Sequence, residues 1–204
     1  QLEQHELHWD GAILYQSQRL ERYQQALTQL HQQQRTYHCD CTRKQIKAQG
    51  PYYTGVCRTK SVISSPFAIR FRNDDPLLQF IDGWQGHITL DPAFAAENFG
   101  FFRGDGLFTY QLTVVVDDID QGVTDIVRGE DLLTATSWQL NLWRYFTHRV
   151  PSFKHVPLAL DSAGRKLSKQ NHAPALEESN AKAQLVAALQ FLGLRPTRTQ
   201  PLPQ

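Results

Sequence analysis

The run Val123 to Val127 is short, rich in β-branched side chains and bounded by Gly122 and Gly129. Such a segment suits a central strand of a parallel sheet, buried on both faces. Leu140, Trp143 and Phe146 recur at helical intervals, so a returning helix is expected over Thr134 to Phe146. A second strand is expected over His155 to Leu160, where the apolar run Val156 to Leu160 feeds a polar loop. Strand, helix, strand and loop in that order predict an α/β fold. Open sheets of that class take ligands outside the carboxyl ends of their strands.

Two candidate sites fall at that rim. Arg128 ends the first strand, and a guanidinium there can grip a carboxylate through two parallel hydrogen bonds, with Tyr110 adding a hydroxyl from the preceding segment. The alternative is that Arg128 pairs with Glu130 or Asp131 and Tyr110 packs in the core. The loop Asp161 to Pro174 holds Lys166-Leu167-Ser168-Lys169. Ammonium groups are compact charges that follow phosphate oxygens as charge shifts during attack at an α-phosphorus, which makes this loop a candidate polyphosphate site. Alone, the same four residues also read as a solvated basic turn.

All three cysteines, Cys39, Cys41 and Cys57, lie within one short stretch, a clustering that random placement gives roughly 2 to 3% of the time. A disulfide across one residue is strained, so thiolates converging on zinc account for them better than a Cys39–Cys41 bridge. A tetrahedral ion needs a fourth ligand, and His38, Asp40, Tyr53 or a water can supply it. Three unrelated buried thiols are the competing account.

The chain elsewhere is less pointed. Gln1 to Leu7 reads as the end of a helix, and an N-terminal segment of the natural protein is expected to precede it. Leu20, Tyr23, Leu27 and Leu30 predict an amphipathic helix capped by Ser17. Ala68 to Arg72 alternates as a strand with a basic face, Leu78 to Leu90 suits a hairpin, and Asn98 to Arg103 suits another strand. Arg70, Arg72 and Arg103 either meet phosphates or face solvent. A helix is expected over Ala183 to Leu192. A formal net charge of +1 offers no global basic field, so any grip on nucleic acid rests on a local patch. No apolar run reaches membrane-spanning length and no leader pattern opens the chain, so a cytoplasmic monomer without membrane contact is expected.

The order Cys-x-Cys, Tyr-x-x-x-Cys, Asp-Gly-Leu-Phe-x-Tyr-x-Leu-x-Val-Val-Val-Asp-Asp, Val-Arg-Gly-x-Asp-Leu and Lys-Leu-Ser-Lys-Gln-Asn-His-Ala-Pro-Ala-Leu resembles class I glutamyl-type aminoacyl-tRNA synthetases. The closest likeness is to their short paralogues, and it runs from about Leu2 to Gly193. The resemblance implies a partial Rossmann-like class I synthetase catalytic domain with a β-rich zinc-binding insertion. It implies residues 1–36 as the remainder of the first half of the nucleotide fold, 37–104 as the insertion, 105–175 as the second half and 176–204 as a helical segment and tail.

It further implies a ligase that activates glutamate with ATP and Mg2+ and transfers it to the queuosine base in the anticodon stem-loop of tRNA(Asp). Lys169 would contact ATP; Tyr110 and Arg128 would bind glutamate; Cys39, Cys41, Tyr53 and Cys57 would hold zinc. On the chemistry of adenylation, Lys166 and Lys169 would both stabilise the charge developing on the leaving pyrophosphate. The family's N-terminal His-Ile-Gly-His signature has no counterpart here, so weak ATP binding is expected of this chain as it stands. A glutamyl-tRNA synthetase catalytic fragment and a non-catalytic zinc-dependent RNA-binding module are the other readings.

Overall fold

The structure, a computed structural model, describes residues 2–168, 171, 173–176 and 180–194. Tyr15–His155 forms one compact unit; Gln1–Leu14 with Val156–Gln204 forms the other. In the first, helix α1 (Leu20–Gln32) leads to strand β1 (Thr36–Cys39) and helix α2 (Arg43–Ala48). Then come β2 (Ala68–Phe71), the strands β3 (Gln79–Asp82) and β4 (Gly86–Thr89), a short helix α3 (Pro92–Ala95) and β5 (Gly100–Phe102). Helix α4 (Tyr110–Asp120), strand β6 (Asp125–Gly129), helix α5 (Thr136–Trp143) and strand β7 (Ser152–Val156) follow. Helix α6 (Ala181–Phe191) belongs to the second unit.

The β-rich stretch is built from antiparallel ladders. Strand β2 lies between β1 and β5, and β3 pairs with β4 in the expected hairpin, Phe80 opposite Ile88. The basic face predicted for β2 does not meet open solvent as a row. Arg70 lies over the Tyr53 ring at 4.1 Å and donates to the Asn98 carbonyl, Arg72 pairs with Asp74, and Arg103 pairs with Asp105.

Helix α4 carries three consecutive valines, Val114 to Val116, which favour strands by local preference. Leu112, Val115, Val116 and Ile119 nevertheless recur at helical spacing, and the first three are buried against α1, β2 and α5 in the main core. The three valines cost about 2 kcal/mol of helix propensity against alanine. Burying Leu112, Val115 and Val116 returns about 5 kcal/mol or more. The helix wins.

Several expected boundaries move. The second strand ends at Val156 instead of running to Leu160, because its alternation places Phe153 and His155 inward and Pro157 has no N–H to continue a ladder. Strand β6 starts at Asp125 and, among the described residues, pairs with β7 alone, leaving Val127 62% exposed where burial on both faces was expected. Of the helix end expected over Gln1 to Leu7, the described residues show a single 3-10 turn, Glu3–His5, stopped by Glu6 at φ 57°; Gln1 lies outside the described residues. His5 is buried there and meets Gln184 at 2.7 Å within the same unit. Ser17 caps nothing: it lies in a 3-10 turn, Gln16–Gln18, and α1 begins after Arg19. No helix among the described residues is long and apolar enough to cross a membrane.

The start of α1 is set by Asp117 on α4. Its buried carboxylate accepts from Gln16 Nε2 at 2.9 Å, Arg19 Nε at 2.8 Å and the Tyr23 hydroxyl at 2.8 Å. Burial first, and then the Asp117 charge, push the Tyr23 phenol up to about 12, so it remains a donor. Arg19 and Arg22 both also bind Asp120. Asp117→Ala should strip the acceptor from all three donors and leave the Arg19 charge partly uncompensated. The expected loss is about 3 kcal/mol in urea unfolding at pH 7.

Candidate functional site

Arg128 is the penultimate residue of β6, at the carboxyl end as expected. Its Nε donates to His155 Nε2 at 3.0 Å and its Nη2 to Thr136 Oγ1 at 2.7 Å. The guanidinium lies 5.0 Å over the Phe153 ring. Burial holds its proton affinity below the ordinary arginine value, against the pull of the Tyr110 hydroxyl and the Asp118 and Asp131 carboxylates. A guanidinium has five N–H donors, and His155 and Thr136 take two of them. Nη1 takes part in neither contact.

Tyr110 opens α4 and stands 48% exposed, close enough for its hydroxyl to act on Arg128. It is therefore not a core residue. Asp118, two turns further along α4, is half-buried; burial and the neighbouring Asp117 raise its carboxyl to about 6 despite Arg128. The sequence pointed to Arg128 and Tyr110 as candidates, and gave no sign of Thr136, His155 and Asp82 around them. Asp82-Gly83 reads only as a turn, and nothing in the sequence links it to a histidine on a distant strand.

A second site lies on the β-rich stretch. The Cys39, Cys41 and Cys57 sulfurs all lie within 4.8 Å of one another, Cys41 and Cys57 at 3.4 Å. Strand β1 delivers Cys39, and the loop before α2, whose first turn is closed by a reciprocal Thr42–Gln45 capping box, delivers Cys41. Gly55 at φ +90° turns the chain so that Cys57 faces inward; a side chain there would meet Arg58 at 2.9 Å.

Of the side chains that could supply a further ligand, Tyr53 sits among the sulfurs, and Asp40 Oδ1 touches the cluster's edge at 3.7 Å from Cys57 Sγ. The buried Tyr53 hydroxyl is 3.2 Å from Cys39 Sγ and 3.9 Å from Cys41 Sγ, and it accepts from the Cys57 N–H. His38 stacks on Phe67 instead, and Asp40 is held by Lys60 at 2.6 Å and the Ser64 N–H, which pull its carboxyl down to about 2. Burial raises the Cys41 thiol to about 11 and raises the Tyr53 phenol further. Burial opposes ionisation of Cys39 too, but Tyr53, the Cys41 N–H and Arg70 outweigh it and hold that thiol below its ordinary value. One easy thiolate beside protonated neighbours is a donor set that releases protons when a cation enters. Zinc with sulfurs 2.3 Å away has a tetrahedral edge of about 3.8 Å, a separation the cluster already brackets.

The lysine loop belongs to the other unit. Leu160 and Lys166 bridge across a turn in which Asp161 accepts from the Ala163 and Arg165 N–H groups, and Gly164 takes φ +75°. Asn171 Nδ2 donates to the Lys166 carbonyl and its N–H to Ser168. Lys166 thus lies on the return limb of a pinned hairpin turn; Lys169 lies outside the described residues.

A family model for the catalytic domain of tRNA synthetases class I (E and Q) matches residues 52–200. The chain belongs to that family. Among curated class I synthetases, the Glutamyl-Q tRNA(Asp) synthetase of Idiomarina loihiensis is 51% identical over 96% of this chain and 69% of its own length. The protein of the same name from Escherichia coli is 50% identical over 95% of this chain and 63% of its length. The chain therefore spans about two thirds of such relatives. A crystal structure of a glutamate tRNA ligase from Elizabethkingia meningosepticum matches with TM-score 0.66 and 22% identity, over 83% of this chain and 40% of that one. The α/β catalytic fold of the class I synthetases is thus shared.

The raised Asp118 carboxyl has a pH signature. Its folded value lies above the ordinary carboxyl value of about 4, so between pH 4 and 6 the unfolded chain releases this proton first and folding weakens as pH rises. Asp118→Asn should gain about 1 kcal/mol at pH 7.5, discounted for the exposed half of the group, with the gain gone below about pH 4. Thermal melts across that range check it.

Proposed function

We propose that this chain carries the glutamate-activating chemistry of a ligase that forms glutamyl-adenylate from glutamate and ATP and transfers the glutamyl group to the queuosine base of tRNA(Asp). The observation that carries the reading is the desolvated Arg128 guanidinium with Tyr110 beside it, at a strand end in a chain about half identical to Glutamyl-Q tRNA(Asp) synthetases over nearly its whole length. Activation forms a bond between a substrate carboxylate oxygen and the α-phosphorus and breaks the bridging P–O bond to pyrophosphate, which leaves with the electron pair. No protein nucleophile is needed, and positioning with charge stabilisation supplies the rate. In this reading Arg128 and Tyr110 hold glutamate, Lys169 takes the charge developing on pyrophosphate, and Lys166 supports it. Mg2+ would share the phosphate charge.

Zinc held by Cys39, Cys41, Tyr53 and Cys57 fits the same reading as a structural ion. It would close a small knob around Tyr37, Ile46 and Ile63 that has little core of its own. Tyr53→Phe, which removes only the phenol oxygen, should weaken zinc retention by roughly tenfold or more, as loss of a ligand does. Chelation should lower the melting temperature of the parent. Elemental analysis without zinc in freshly purified protein would refute the assignment.

A glutamyl-tRNA synthetase is the second reading. The Tyr-x-x-x-Cys spacing, the sequence Gln170 to Pro174 and the identity of the relatives favour the queuosine substrate. Charging of queuosine-containing tRNA(Asp) in preference to tRNA(Glu) is expected, and the reverse preference would overturn it. In the same protein Lys169→Ala should slow glutamate-dependent ATP–pyrophosphate exchange by about 2 to 4 kcal/mol of barrier.

A further inference from the structure

Arg128 is held from its buried side by a chain of two further residues. Asp82, 1% exposed at the end of β3, accepts at Oδ1 from the N–H groups of Trp84 (2.9 Å), Gln85 (2.8 Å) and His155 (3.2 Å). Its Oδ2 is 2.6 Å from His155 Nδ1, and His155 is fully buried. Burial opposes the Asp82 charge, but the Gln85, His155 and Trp84 donors prevail and keep the carboxyl below its ordinary range. An ionised carboxylate only accepts, so it selects the His155 tautomer with the proton on Nδ1.

Arginine only donates, so its Nε–H requires a lone pair opposite, and that same tautomer presents one at Nε2. Thr136 Oγ1 accepts from Arg128 Nη2, lies 3.1 Å from His155 Nε2, and donates to the Leu132 carbonyl at 3.0 Å. The Arg128 Nε–H, one Nη2–H and the Thr136 hydroxyl then each have an acceptor. The Phe153 ring, stacked parallel to His155 at 6.1 Å, forms the floor beneath the guanidinium. Arg128 is held on its Nε and Nη2 side by His155 and Thr136, which aims the rest of the guanidinium toward the Tyr110 hydroxyl.

We propose that Asp82 and His155 are positioning residues of the amino-acid site: Asp82 fixes the tautomer of His155, and His155 aims Arg128 at the substrate carboxylate. The inference rests on the glutamate reading of Arg128. It makes the β3–β4 hairpin, 46 residues before Arg128 in the chain, part of the substrate site.

Asp82→Asn tests it in the intact protein. The amide oxygen can still accept from Trp84, Gln85 and His155, but the amide nitrogen donates to Nδ1 and drives the ring proton to Nε2; that proton then faces the Arg128 Nε–H and competes with Arg128 Nη2 for Thr136 Oγ1, so Arg128 loses its acceptor on this side. Glutamate binding by calorimetry should weaken about tenfold or more while the fold persists. Long-range proton–nitrogen spectra should show unprotonated Nε2 in the parent and protonated Nε2 in the variant. His155→Gln, which can offer an amide oxygen to Arg128, should retain glutamate better than His155→Phe, which keeps the ring stack without an acceptor. A role confined to stability would instead rank affinity with melting temperature.

A parent protonated at Nε2, or an Asp82→Asn variant binding glutamate like the parent, overturns the relay. Arg128→Ala judges the underlying reading separately. Unchanged glutamate binding there, or a parent that takes up no glutamate, removes the substrate role of Arg128 whatever the ring tautomer.

Discussion

A carboxylate buried on a helix must find donors or lose its charge, and Asp117 finds Gln16, Arg19 and Tyr23. That requirement clamps the start of α1 to α4, and the apolar sides of both helices close the main core over Phe71, Phe99 and Phe101. With α4 fixed, its first residue, Tyr110, stands beside the end of β6 and its Asp118 faces the Arg128 charge. A buried ion such as Asp117 is held strongly only when every partner is present. The clamp therefore places the site as well as holding the fold.

The β-rich stretch is joined to the α/β part by polar contacts of the same kind. Asn73 donates to the Ala95 and Glu97 carbonyls and accepts from Asn141 on α5, Trp138 donates to the Phe94 carbonyl while stacking on its ring, and Asp82 receives His155. Each contact satisfies a group that would otherwise be buried unpaired. Residues far apart in the chain thereby share one site, with no disulfide among them.

The two candidate sites solve opposite electrostatic problems. Arg128 is a partly buried cation, stabilised by a ring nitrogen and nearby carboxylates, and so is suited to an anionic ligand. The cysteine cluster gathers groups that burial keeps largely protonated around one favoured thiolate, and so is ready for a cation. Preorganisation of charge is common to both.

Much of this was legible in the residues. The cysteine spacing announced a metal-type cluster, the glycine-bounded run put Arg128 at a strand end, and hydrophobic spacing found α1, α5 and the hairpin. Boundaries were less legible: the end of β7 depends on which residues alternate inward, and the valine run of α4 is strand-like until its burial is known. The placing of the Tyr53 hydroxyl beside the sulfurs with His38 turned onto Phe67, and the reach of Asp82 to His155, were set by packing. Local pattern determined the element types and the chemistry available, because periodicity and residue type are properties of neighbours in the chain. Tertiary structure alone decided which donors and acceptors meet, because buried polar groups are satisfied by whatever lies adjacent in space.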